Sequence, residues 1–187
     1  ERARLLTLLD QLARGSGGLA LVEGEPGMGK TTLLREIERA AQWRQLACGW
    51  GSGQEGAPRL FGPLAEALQG LGRRPALSAA SAESPPVLRP LVAALLGVGA
   101  DGAELPQSHF AAEMSQAAAL RYLLRRWAEQ GPLLLILDDV QWADPQFWRL
   151  WPTLIALCRE APILLLLAYR DWELRQSEPA VAALQAS

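Results

Sequence analysis

The residues with the clearest chemistry lie in three short blocks. The first is Gly24-Glu25-Pro26-Gly27-Met28-Gly29-Lys30-Thr31, with Thr32 directly after it. Its fixed positions match G-x-x-x-x-G-K-[ST], a loop that binds phosphate. Gly27 and Gly29 are free to take positive φ and let backbone approach a ligand closely. Their N–H groups then form an anion nest at a helix N-terminus. Lys30 brings positive charge to the β- and γ-phosphates, and Thr31 offers a hydroxyl to Mg²⁺. Lys30 is the only lysine in a chain with 18 basic residues. A compact ammonium fits between phosphate oxygens where a forked guanidinium does not.

The second block is Asp138-Asp139 and the third is Arg170. Asp138 is placed to hold, through water, the same Mg²⁺ that Thr31 faces. Asp139 is placed to act on a water near the terminal phosphate. An ordinary aspartate is a weak base at neutral pH, so orientation rather than proton abstraction is its expected contribution. Arg170 is placed to sense the γ-phosphate or to stabilise charge in the transition state. A plain ion pair to Asp171 or Glu173 is the competing explanation. Asp144 reads as an N-cap, Glu25 as a solvated loop acid, and Trp142 as packing beneath the loop or as core.

These blocks need rigid elements behind them. Leu19–Val22 precedes the first block as a short apolar run and reads as a strand; Leu33–Ala41 follows it as a helix. Leu133–Leu137 and Pro162–Tyr169 are continuous apolar runs, which read as strands buried on both faces of a parallel sheet. They end on Asp138 and Arg170. Strands alternating with helices argue an open α/β sheet, in which ligands bind at the strands' carboxyl ends. All three blocks fall at such ends.

The other elements follow from spacing. Leu5, Leu8, Leu9 and Leu12 predict a helix over residues 2–13, closed by Gly15-Ser16-Gly17-Gly18. Gln45–Trp50 predicts a strand, 51–58 a loop, and Phe61–Leu71 a helix with Pro63 in its first turn. Residues 72–86, rich in Arg, Pro, Ala and Ser, predict a flexible excursion. Val87–Leu96 predicts a short helix, and 97–108 a loop. Phe110, Met114, Ala117, Leu120, Leu124 and Trp127 step at helical spacing up to Gly131-Pro132, as a core stripe. Asp144-Pro145 opens a further helix that Pro152 should kink. Glu178–Ala186 predicts one or two helical turns.

Composition narrows the classes. The net charge is −2 over 187 residues, with no basic field for nucleic acid. Cys48 and Cys158 are isolated and read as reduced thiols of a cytoplasmic protein. His109 is the only histidine, which disfavours a His/Cys metal site or a histidine-dependent triad. No apolar run reaches the length of a membrane span. The chain starts at Glu1 without an initiator Met, so a piece of something longer is expected.

The run Leu135-Ile136-Leu137-Asp138-Asp139-Val140-Gln141-Trp142-Ala143-Asp144-Pro145 resembles the extended metal-binding motif of STAND-type P-loop ATPases. More narrowly, it is similar to the ATPase module of large ATP-binding LuxR-type transcription regulators and related bacterial signalling proteins. The phosphate loop with Leu33-Leu34-Arg35-Glu36, the stretch Arg59–Leu68, and Leu166–Asp171 are similar to the same family. Gln141, often His there, and Pro152 depart from its pattern.

The resemblance implies a P-loop NTPase three-layer sandwich with a mainly parallel sheet. It covers residues 1–187 as one domain, with 72–108 as a variable insertion. It implies ATP and Mg²⁺ as cofactors, and a switch between ATP- and ADP-bound states. The expected partners are winged-helix and sensor domains C-terminal to this one, with DNA reached only through a further domain. A strand expected after residue 187 would leave the first strand as an exposed sheet edge. Aspartate rather than glutamate at position 139 reaches water less well and fits slow hydrolysis. A P-loop small-molecule kinase and a nucleotide-binding scaffold without turnover are the alternatives. A GTPase is disfavoured, because its Asn-Lys-x-Asp motif needs a second lysine.

Overall fold

A computed structural model describes residues 1–57, 59–96 and 109–185. The loop expected over 97–108 and the contacts expected of Phe110 and Met114 lie outside the described residues. Four strands form the sheet: β1 (Gly18–Glu23), β2 (Ala47–Ser52), β3 (Leu133–Asp138) and β4 (Ile163–Tyr169). All pairings are parallel, in the order β1-β4-β3-β2. Register aligns the carboxyl ends, with Glu23 opposite Tyr169 and Ser52 opposite Asp138. The two strands read as continuous apolar runs are the two central ones, and every residue of both is buried. Among the described residues strand β1 lies at an edge of the sheet, pairing with β4 alone, and Leu21 is 42% exposed.

Side-chain alternation makes the three layers. Leu134 and Ile136 of β3, with Leu164, Leu166 and Ala168 of β4, pack on α1 (Arg2–Ala13) and α2 (Lys30–Trp43). The intervening residues, Leu133, Leu135 and Leu137 with Ile163, Leu165 and Leu167, face the opposite layer. That layer holds α3 (Gly62–Gly72), α4 (Pro75–Ala82), α5 (Arg89–Leu95), α6 (His109–Ala128) and α7 (Pro145–Glu160). Each fully buried leucine contributes about 1.5–3 kcal/mol. Both faces of β3 and β4 are thus anchored, and their carboxyl ends are held rigidly.

Two expectations need correction. Strand β2 runs from Ala47 to Ser52, so residues 51 and 52 belong to the sheet rather than to a loop. Gly51 is the reason: it lets the α3 backbone sit against the strand where any Cβ would collide with the Pro63 carbonyl.

The segment 72–86 is not an excursion, because most of it is α4. Pro75 starts that helix, Leu77 and Ala80 are buried, and Trp127 Nε1 donates to Leu77 O at 2.8 Å. Its Ala- and Ser-rich composition conceals the two apolar positions that dock it.

Helix α7 passes through Pro152 as a single element. Pro152 is exposed, where one missing N–H donor costs least. After β4 come the short helices α8 (Asp171–Leu174) and α9 (Glu178–Gln185).

Candidate nucleotide site

The three blocks meet on one rim. The phosphate loop leaves β1, the aspartate pair ends β3, and Arg170 ends β4, the strand lying between the other two. Gly27 and Gly29 have φ of 79° and 83°, so both occupy the left-handed region that only glycine enters without strain. Gly29 is the N-cap of α2, and no side chain caps that helix or adds negative charge in its first turn. Its first N–H groups therefore stay available to an anion.

Lys30 Nζ donates to Gly24 O at 2.6 Å and to Glu25 O at 3.0 Å, which folds the ammonium over the loop. Glu25, Pro26, Met28, Thr31 and Thr32 are exposed on the same surface, Met28 at 74%. Glu25 is the solvated loop acid that the sequence predicts.

Thr31 and Asp138, 107 residues apart, are in direct contact: Thr31 Oγ1 donates to Asp138 Oδ2 at 2.7 Å. The other carboxylate oxygen, Oδ1, accepts from the Asp139 backbone N–H at 3.0 Å. Asp138 is 3% exposed, and burial pushes its carboxyl above the usual range. The Thr31 hydrogen bond opposes that shift, and the neighbouring Asp139 charge adds to it. The Thr31 hydroxyl and the Asp138 carboxylate are hard oxygen donors that meet at one point of the rim, a set that fits Mg²⁺.

Asp139 adopts φ 49° and ψ 43°, a left-handed conformation that β-carbons disfavour. Its surroundings hold it there. Gly53 N donates to Asp138 O at 2.9 Å, and Trp142 N donates to Asp139 O at 3.1 Å. Gln141 Nε2 donates to Asp139 Oδ1 at 2.8 Å. Arg170 Nε lies 3.6 Å from the same oxygen. Arg170 also donates to Glu173 Oε1 at 3.2 Å. The competing ion pair is thus present for Glu173, while Asp171 pairs with Arg175 instead.

Asp144 caps α7, accepting from Gln146 N at 2.8 Å, which is the structural role expected of it. Burial raises its carboxyl as well, against bonds from backbone N–H groups. Trp142 is half-buried and packs on Gly53.

Sequence reasoning passes over two participants. Gln141 registers only as a departure from a family pattern, yet it is buried and bonds both Asp139 and the Arg170 backbone. Gly53 sits in what reads as loop, and it is the close contact beneath the Asp139 peptide. The sequence cue for Gln141 is a lone amide in the turn directly after the aspartate pair; Gly53 gives none.

Among the described residues, no helix is long and apolar enough to cross a membrane. An uncharacterized protein of Rhizobium meliloti (strain 1021) is 29% identical over 177 residues, covering 87% of this chain. The chain spans 17% of the length of that relative. The family model for the AAA ATPase domain matches residues 1–167, a span that holds the phosphate loop and the aspartate pair. The chain belongs to the AAA ATPase domain family, and its broad activity is that of an ATP-binding, nucleotide-dependent module.

Proposed function

We propose that this rim binds ATP with Mg²⁺, hydrolyses it slowly, and serves as a nucleotide-dependent switch in a bacterial signalling or transcription regulator. The observation that carries the reading is the 2.7 Å contact between Thr31 and Asp138. It joins the phosphate loop to the aspartate pair, so that one Mg²⁺ would meet both blocks. Residues Gly24–Thr32 wrap the phosphates with backbone N–H groups. Lys30 exchanges its bonds to two loop carbonyls for bonds to β- and γ-phosphate oxygens. Mg²⁺, when bound, offsets phosphate charge from Thr31 and Asp138. Asp139 orients water, and Arg170 meets charge on the terminal phosphate.

The narrower assignment is to STAND-type modules of LuxR-type regulators. It rests on the resemblance of residues 135–145 and 166–171. The much greater length of the Rhizobium relative leaves room for the winged-helix and sensor domains that this assignment expects as partners. DNA contact belongs to another domain in this reading.

Calorimetry with ATP, ADP and GTP, with and without Mg²⁺, tests the proposal, with Lys30→Ala as control. Adenine nucleotides are expected to bind, and the substitution should weaken ATP by about 10- to 100-fold, since bonds from a charged donor contribute about 1.5–3 kcal/mol. Equal ATP affinity in the variant would refute the site.

A further inference from the structure

We propose that Gln141 is a positioning residue whose carboxamide fixes the spacing of Asp139 and Arg170 for action on the terminal phosphate. The proposal rests on the hydrolytic reading of the rim given above.

Gln141 lies in the 3-10 turn Val140–Trp142, between β3 and α7, and is 6% exposed. Nε2 donates to Asp139 Oδ1 at 2.8 Å. Oε1 accepts from Arg170 N at 3.2 Å. The orientation of the amide is forced by chemistry. A backbone N–H only donates and an ionised carboxylate only accepts, so the amide oxygen faces residue 170 and the NH₂ faces residue 139. The Arg170 guanidinium closes the ring, with Nε 3.6 Å from Asp139 Oδ1. Carboxylate, amide, backbone and guanidinium thus form one circuit across the gap between β3 and β4.

A polar side chain in this position is costly as core. The preceding residue Val140 is fully buried, and an apolar residue at 141 would need no partners. Gln141 instead spends one end on each of the two groups read as acting at the phosphate. Its bond to Asp139 helps to hold a left-handed backbone that β-carbons disfavour. Oδ1 of Asp139 is thus engaged twice, by Gln141 Nε2 and by Arg170 Nε.

The experiment compares three substitutions in the full-length protein. Gln141→Met removes both bonds at similar volume. Gln141→Glu keeps an acceptor for Arg170 N but sets a second carboxylate against Asp139. Gln141→His, assayed at pH 8.5 as neutral imidazole, restores one donor and one acceptor. Met and Glu are expected to lower kcat by about 10- to 100-fold, the range for a misplaced reacting group. KM for ATP, the ADP dissociation constant and Tm should stay close to those of the parent. The His variant should recover most of the loss.

Three results would overturn the proposal. One is parental kcat in the Met variant while Asp139→Asn abolishes turnover; that refutes the role of Gln141 and leaves the hydrolytic reading intact. The second is a loss of kcat matched by equal loss of ADP binding, or a His variant no better than Glu, which marks a merely structural residue. The third is a parent protein without Lys30-dependent turnover, which removes the hydrolytic reading and the inference with it. Should the Met variant not fold, the Glu and His comparison decides alone.

Discussion

Gly53→Ala adds one methyl group at a position outside the phosphate loop, just after β2. Built on the present backbone, that Cβ falls under 3.0 Å from the Asp139 carbonyl oxygen and 3.1 Å from Trp142 Cβ. Ordinary contact needs about 1 Å more than the first of these. The closest contact is backbone, so no flexible side chain can swing away to relieve it. Either the 52–54 segment lifts off, losing the 2.9 Å bond from Gly53 N to Asp138 O, or the Asp139 turn moves outward. Overpacking of this kind costs about 1–3 kcal/mol. For a chain of this size that is roughly 2–12 °C in Tm. A displacement of about 1 Å at a reacting group costs on the order of 100-fold in rate. The phosphate loop leaves a different strand, so ADP affinity should hold. The assays are thermal unfolding, ADP calorimetry and steady-state ATP turnover. Parental Tm together with parental turnover would refute the packing argument. Loss of ADP binding would show that the aspartate turn and the phosphate loop are not separable.

Thr31→Val keeps the shape of the side chain and deletes the donor to Asp138 Oδ2, leaving a buried carboxylate oxygen short of a partner. Stability should fall by about 1–3 kcal/mol and Mg²⁺ should no longer strengthen ATP binding, as denaturant unfolding and a Mg²⁺ titration would show. A parental Mg²⁺ response would exclude the hydroxyl as a ligand.

A different perturbation is alkaline pH. Burial pushes the thiols of Cys48 and Cys158 and the phenol of Tyr169 up to about 12. A folded-state value raised above the unfolded one gives stability that is complete below the unfolded pKa. It is lost as pH climbs toward about 12. Urea unfolding at pH 8 and pH 10.5 should therefore show lower stability at the higher pH. A thiol reagent at pH 8 should react slowly with the native chain and fast once it unfolds.

How much of this was legible depends on where the information sits. Strands β3 and β4 are uniformly apolar because both faces are covered, and such runs can be read directly. The phosphate loop is legible because its chemistry is local: φ values of 79° and 83° demand glycine at 27 and 29. Helix α4 is obscured by its weak apolar content, since two buried residues and a hydrogen bond from Trp127 dock it. That bond comes from 50 residues away, and no window of sequence reports it. Strand β2 is placed two residues early because Gly51 looks like a loop residue. It is glycine so that α3 can approach, a demand set by tertiary packing.

The rim itself divides along the same line. Lys30, Thr31, Asp138 and Asp139 declare their chemistry by type and spacing, so they stand out from sequence. What sets their geometry does not. Asp139 lies in a strained turn that Gly53 supports from below and Gln141 ties to the end of β4. Neither supporting residue carries charge or a metal-binding atom, and each acts through a contact with a distant strand. The reacting groups could be transplanted to another strand end without these two. The Asp139 backbone would then relax toward an ordinary φ, and its carboxylate would turn away from Arg170. In the proposed reading the aspartate pair supplies the chemistry, and a glycine and a buried amide set the distances at which it operates.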